Sequence, residues 1–334
     1  QKGTLRFNTD IGSLEYFKGD TLGWEQIVRT TPNLNGGARG LIMGGNTNPG
    51  QSDVIDYITI STLGNAIDFG NLLAGNRVQG GCASRTRGIS AGGYTGSIVD
   101  VIQYITIAST GDALDFGDLT LARYNVAGLS NQTRGIFAAG EGSPNAWINI
   151  VDYITIAQTG NAVDFGDIQN MNGQLGQNNG VSSPTRGIAG GGYISPGAYV
   201  NTIEYVTIMT TGNFADFGDL TTARGRTGGI CNATRGIFTG GFTPVGTNTI
   251  DYITIATTGN ATDFGDQLYL AASLSCCSSP TRGTAAGGYN PASPTIINTI
   301  GYVEIATTGN LTDFGDLSVT RGQARGISNG HGGL

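Results

Sequence analysis

Six Asp-Phe-Gly triplets, beginning at Asp68, Asp115, Asp164, Asp216, Asp263 and Asp313, are the most regular acidic feature of this chain. In protein kinases that triplet holds magnesium, but there it works with a glycine-rich phosphate loop, a Val-Ala-Ile-Lys strand and a His-Arg-Asp loop, and none of these occurs here. Paired carboxylates also serve glycosidases, yet a catalytic pair should break a repeat rather than recur in every copy. Calcium is a further chemistry, since Asn260, Asp263 and Asp266 offer oxygens. Their spacing fits no calcium loop, and the first copy ends in Asn71 instead of Asp. A structural role is simpler: the phenylalanine packs between repeats and the carboxylates accept backbone N–H bonds at the following turn.

Arg39, Arg87, Arg134, Arg186, Arg235 and Arg282 recur with the same period. A guanidinium pairs readily with a carboxylate, so each is expected to reach an aspartate of the neighbouring repeat. A central ring of arginines facing an anion is the alternative. The four cysteines, Cys82, Cys231, Cys276 and Cys277, show no Cys-x-x-Cys spacing and read as small buried residues on inner strands. With one histidine, His331, at an end expected to fray, and no serine-elbow motif, the chain offers no catalytic residues, metal site or cofactor site.

The elements that carry these residues follow from the period. The triplets fall 47, 49, 52, 47 and 50 residues apart. A repeat of roughly 40–50 residues rich in strand formers predicts one four-stranded propeller blade per copy. In residues 220–266 the strands are expected at Thr227–Cys231, Ile237–Gly241, Ile250–Ala256 and around Asp263–Asp266. Ile250 and Tyr252 point one way on the third strand, Ile253 and Ile255 the other, as burial between stacked blades requires. Glycine before Asn or Asp at Gly64, Gly111, Gly160, Gly212, Gly259 and Gly309 suggests type II′ hairpins. The first copy has no inner strand ahead of Arg39, whereas Arg321–Asn329 aligns with Arg224–Asn232 and has no outer strands after it. The fold class is therefore all-β: residues 36–334 form a six-bladed propeller closed by the C-terminal strand, which leaves no open edge.

Residues 1–35 form a separate small β-hairpin module of three short strands, with Thr30–Gly37 read as linker. So small a sheet is marginal alone and is expected to lean on a partner or on another copy of the chain. Glycine accounts for 57 of 334 residues, about 17%, against roughly 7% in ordinary chains, without the Gly-X-Y period of collagen. Net charge is −7, lysines occur only at positions 2 and 18, and no basic stripe is visible, so nucleic acid is not an expected partner. No apolar run approaches the roughly 18 residues of a membrane span. The chain starts at Gln1 rather than methionine, so targeting is not read from it.

The blades resemble kelch repeats. An apolar strand ends in two glycines and an aromatic at Gly92-Gly93-Tyr94, Gly191-Gly192-Tyr193, Gly240-Gly241-Phe242 and Gly287-Gly288-Tyr289, and a tyrosine follows on the next strand. Phe69 and its equivalents stand where kelch repeats usually carry tryptophan. The opening Gly3–Phe17, with Trp24-Glu25 after it, is similar to modules of phage tail-fibre and virion structural proteins. The Thr-Gly-Asn-Ala-Thr-Asp-Phe-Gly-Asp repeat is similar to repeats in virion proteins of cyanobacterial phages. These resemblances imply a non-enzymatic virion protein (fibre, capsid decoration or tail appendage) on the particle surface. Phe7, Tyr16 and Trp24 would attach it to other virion proteins. A secreted or cell-surface carbohydrate-binding propeller is the alternative, and a propeller glycosidase or oxidase a third.

Variation locates the binding face. The Thr-Gly-Asn segments are nearly uniform, whereas the connections from second to third strand and from fourth to first are not. Both variable sets lie on one face of an up-and-down propeller, and binding residues usually sit on variable loops over a rigid scaffold. Trp147, Tyr199, Tyr94, Tyr193 and Tyr289 are the candidates for stacking on a host-surface glycan. The linker before Arg39 and the C-terminus meet the uniform face, so the variable face is expected to point outward.

Overall fold

A computed structural model describes residues 4–8, 13–20, 23–26, 38–143, 146–170, 173–174, 180–194, 197–243, 245–290 and 295–334. The expected linker, 30–37, lies outside the described residues. Contacts divide the chain into two compact units, Gln1–Gly36 and Gly37–Leu334.

The larger unit is a six-bladed β-propeller. Blade 2 is typical: Gly80–Ala83, Arg87–Ala91, Val101–Thr106 and Leu114–Asp118 pair antiparallel from the axis outward. Blade 1 takes its inner strand from the far end of the chain. Arg325–Ser328 pairs with Arg39–Met43 in the register Arg325↔Met43 to Ser328↔Gly40, as the alignment of the two ends predicts. Blades 3 and 4 differ by their second and third strands. These run Arg134–Gly142 with Ala146–Thr155, and Arg186–Ile194 with Ala198–Thr207, against five and six residues in blade 2.

The core is a set of slabs between neighbouring blades. Ile250 packs with Phe264, Leu274, Val303 and Ile305 on the blade 6 side. Ile253 and Ile255 pack with Val181, Phe217 and Phe238 on the blade 4 side. A strand that is apolar on both faces therefore serves two cores. Around the axis the inner strands approach so closely that a Cβ on Gly128 would stand 2.0 Å from the Gly81 carbonyl oxygen, and one on Gly326 2.3 Å from that of Cys276.

The repeat itself is the seam between blades. Each Gly-Asn or Gly-Asp segment pairs with the outer strand of the preceding blade: Gly111 N–H donates to Phe69 O and Ala113 N–H to Asn71 O, both at 2.8 Å. The side chain after the glycine closes the seam, as Asn161 Oδ1 accepts from Asp118 N–H at 3.1 Å. Equivalent bonds join all six seams, the last from Gly64 to Phe314. This corrects two expectations. The strand reversal closes earlier, at Thr62 N–H to Thr59 O, so the Gly-Asn pair is not the hairpin turn. The carboxylates of Asp68, Asp115, Asp164, Asp216, Asp263 and Asp313 stand exposed, and the acceptor is the Asn or Asp of the next blade. The phenylalanine is buried as expected, edge-on to the blade's tyrosine (Tyr104 to Phe116, 6.1 Å).

The seam explains why glycine follows the phenylalanine. Gly117 has φ +147°, and a Cβ there would meet the Gly160 carbonyl oxygen at 2.5 Å, whereas a Cβ on Gly160 meets nothing within 4 Å. Both substitutions strain the backbone, but only one also forces the seam open. We expect Gly117→Ala to destabilise the protein by about 3 kcal/mol and Gly160→Ala by about 1 kcal/mol, read as the difference in thermal unfolding midpoints.

The N-terminal unit is a three-stranded antiparallel sheet of Leu5–Asn8, Ser13–Phe17 and Trp24–Gln26. Phe7 sits opposite Leu14 in register. Trp24 stacks on Phe17 at 5.2 Å and under the Arg6 guanidinium at 4.3 Å, and Arg6 bonds Glu15 at 2.8 Å. Tyr16 lies 5.8 Å from the Lys18 ammonium.

Candidate functional site

On the variable face the lengthened hairpins of blades 3 and 4 bring aromatic rings together. Trp147 lies 5.7 Å from Tyr193, Tyr193 4.9 Å from Tyr199 across its own hairpin, and Tyr199 6.2 Å from Phe242 of blade 5. The arc ends at Arg226, whose guanidinium sits 5.5 Å from the Phe242 ring. The four rings are half-buried, fixed by each other while keeping a wet side. Burial pushes the Tyr199 hydroxyl up, and nearby Arg226 pulls it back. Tyr94 belongs to a second group, beneath the Arg77 guanidinium at 4.9 Å and 6.5 Å from Tyr124. The Tyr124 hydroxyl bonds the Glu141 carboxylate and is pushed up by burial first and that carboxylate second. Tyr289 is exposed on blade 6, outside both groups.

Both groups lie beside the segments that lead into the inner strands, where Arg77 bridges to Tyr94, Tyr124 to Glu141 and Gly225 to Phe242. In the five blades whose entry is described, the residue entering the inner strand turns with positive φ: Val78 57°, Asn125 58°, Arg226 60°, Ser273 61° and Gln323 59°. Main-chain bonds link them round the axis, Asn125 N–H to Val78 O, Val78 N–H to Gln323 O, Gln323 N–H to Ser273 O and Ser273 N–H to Arg226 O. Five non-glycine residues held in this sparsely populated region define a rigid rim.

Below the rim, alternate blades carry a buried ion pair that sequence reading missed. Arg123, Arg224 and Arg321 are fully buried against Asp152 (3.0 Å), Asp251 (2.9 Å) and Asp56 (2.6 Å). Burial lowers the guanidinium pKa values and the facing carboxylates raise them back in part. Blades 2, 4 and 6 have Gln103, Glu204 and Gly301 at the aspartate position. The signal was present, since Asp56, Asp152 and Asp251 occur only in copies entered through Arg321, Arg123 and Arg224.

The repeated arginines Arg39, Arg87, Arg134, Arg186, Arg235 and Arg282 do reach the next blade, but not its aspartate. Each lies over its own blade's tyrosine, 4.3–4.8 Å from the ring centre. From there Nη1 donates to a carbonyl of the following blade, as Arg39 does to Ile107 O at 2.8 Å and Arg235 to Ile305 O at 2.8 Å. A carbonyl facing the blade boundary is left over where the third strand ends, and the guanidinium satisfies it. They form no central anion ring.

At the uniform face the channel is sealed. The last residue of each inner strand links to the next blade: Ala83 N–H donates to Ser130 Oγ, Ser130 N–H to Ser182 Oγ, Ser182 N–H to Cys231 Sγ, Cys231 N–H to Ser278 Oγ and Ser278 N–H to Ser328 Oγ. Ala83, lacking a hydroxyl, interrupts this ring, and there the tail folds in. Gly333 N–H donates to His331 Nδ1 at 3.1 Å, so the proton sits on Nε2, which donates to Ala83 O at 3.0 Å. His331 is thus a half-buried plug rather than a frayed end, above a cavity of about 40 Å³. All four cysteines are buried and none forms a disulfide, with the Cys82 thiol pushed up to about 12 by burial.

Burial also pulls His331 down to about 4, from an ordinary 6.5. The unfolded chain therefore takes up this proton first. Stability from the neutral plug is complete above pH 6.5 and falls as pH drops toward 4, by up to about 3 kcal/mol. Unfolding midpoints measured from pH 7 to pH 4 should fall more steeply for the native chain than for His331→Gln.

No helix among the described residues is long and apolar enough to cross a membrane. No protein-family model matches the chain, and no curated protein matches it.

Proposed function

We propose that this chain is a non-enzymatic structural protein of a phage virion, a fibre, capsid decoration or tail appendage, that presents the variable face of a kelch-like propeller to glycans on the host surface. The observation that carries this reading is the arc Trp147–Tyr193–Tyr199–Phe242, raised on the two lengthened hairpins over a scaffold whose seams are otherwise uniform. Half-buried aromatic rings with a wet face suit stacking against the apolar side of a sugar. The virion assignment is supported by the likeness of the opening strands and of the repeat to virion proteins. In this reading Phe7, Tyr16 and Trp24 hold the N-terminal sheet to other virion proteins, and a double glycine followed by an aromatic marks four of the six blades as kelch-like.

Immunogold labelling of purified particles with antibody to the propeller tests the location, and label confined to cell surface or medium would favour a secreted carbohydrate-binding propeller instead. Purified protein should compete with particles for adsorption to host cells, and Trp147→Ala or Tyr199→Ala should weaken that competition about tenfold or more. Full competition by both variants would remove the aromatic arc from the reading.

A further inference from the structure

Among the described residues most arginines are committed to a protein acceptor. Arg123, Arg224 and Arg321 sit on buried aspartates, Arg6 and Arg282 on glutamates, and the once-per-blade set on carbonyls. Arg226 is different. It holds no ion pair among the described residues, is half-buried, and has the Phe242 ring as its neighbour at the end of the aromatic arc. The repeat does not call for it: the equivalent positions hold Val78, Asn125, Ser273 and Gln323. It also occupies a positive-φ turn, where a long charged side chain brings no conformational advantage. Glu141, opposite Trp147 in its hairpin, is buried and bonded to the Tyr124 hydroxyl, so it does not neutralise Arg226.

A cation beside stacked rings, on a chain of net charge −7, selects for a ligand that joins an apolar face to one anionic group. The geometry points to an acidic saccharide, a pyranose carrying carboxylate or sulfate, with its ring on Tyr199 and Trp147 and its anion on the Arg226 fork. This deepens the glycan-display reading and rests on it. The rings supply sugar binding in general, and Arg226 supplies the preference for acid.

Three tetrasaccharide probes separate the two claims: oligogalacturonate, its carboxyl-reduced neutral counterpart, and a sulfated galactan of the same length. Titration calorimetry should show the native protein binding at least one acidic probe more tightly than the neutral one, with a preference that shrinks as salt rises. Arg226→Asn, which keeps a side chain tolerant of positive φ, should lose about 10- to 100-fold on that acidic probe and keep neutral binding. Arg226→Lys should retain part of the preference. Unchanged unfolding midpoints would show that both variants are folded. If Arg226→Asn keeps the acid preference while Tyr199→Ala abolishes binding, or if the native protein prefers the neutral probe, the acidic-ligand inference fails and glycan display stands. If none of the three probes binds, both fall.

Discussion

A chain lacking Arg325–Leu334 should fail to form a closed, cooperatively unfolding propeller. That segment supplies all four residues paired with the inner side of Arg39–Met43, the buried Ile327 of the blade 1–blade 2 core, the last serine of the axial ring and the His331 plug. Interior main-chain bonds contribute about 1 kcal/mol each and a buried isoleucine about 2–5 kcal/mol. The loss is therefore of order 10 kcal/mol, comparable with the whole stability of a typical domain. Arg39–Met43 would keep its pairing with Val54–Thr59 but become an edge strand with its inner side open, a template for aggregation. Gel filtration should show aggregate in place of monomer, and a synthetic Arg325–Leu334 peptide supplied during refolding should recover part of the monomer. A truncated monomer with an unchanged unfolding midpoint would mean that the ring is not held by its tail.

Asp152→Ala should be the most damaging single substitution in blade 3, at about 3–5 kcal/mol. It leaves the Arg123 guanidinium buried with carbonyl partners only, Ala139 O at 3.1 Å and Phe137 O at 3.2 Å. It also removes the acceptor of Thr120 N–H at 3.0 Å and of Thr120 Oγ1 at 2.7 Å. Replacing both partners with hydrophobic residues, as in Arg123→Met with Asp152→Leu, should cost far less than Asp152→Ala, because no charge is then stranded. Equal midpoints for the single and double variants would show that the pair is not coupled.

How much of this was legible in the sequence follows from which residues repeat. A glycine followed by Asn or Asp, and the Asp-Phe-Gly triplet after it, recur in every copy because each seam makes the same main-chain bonds, so the period, the blade count and the closing strand could be read directly. The direction of those bonds could not. Nothing in Thr-Gly-Asn says that its partner lies in the preceding blade rather than across its own turn. Arg123 and Asp152 are 29 positions apart (152 − 123) and meet only because the entry loop passes over the third strand. The tail was opaque for a related reason: His331 has no counterpart in any repeat, and its site exists only because residue 83 lacks a hydroxyl. Trp147, Tyr193 and Tyr199 were recognisable as variable-loop aromatics, but their union with Phe242 and Arg226 depends on two hairpins being longer than the rest.

Six interchangeable seams have a consequence for synthesis. While the chain is emerging, any Gly-Asn segment has the same main-chain complement for any exposed outer strand, so skipping a blade forms the same surface bonds as the native neighbour. What distinguishes native neighbours is deeper and irregular: an arginine that finds its aspartate at every second wedge, and one alanine among the axial hydroxyls where an imidazole can enter. The outer repeat gives adhesion without identity, and the odd residues near the axis act as the proofreading step of assembly.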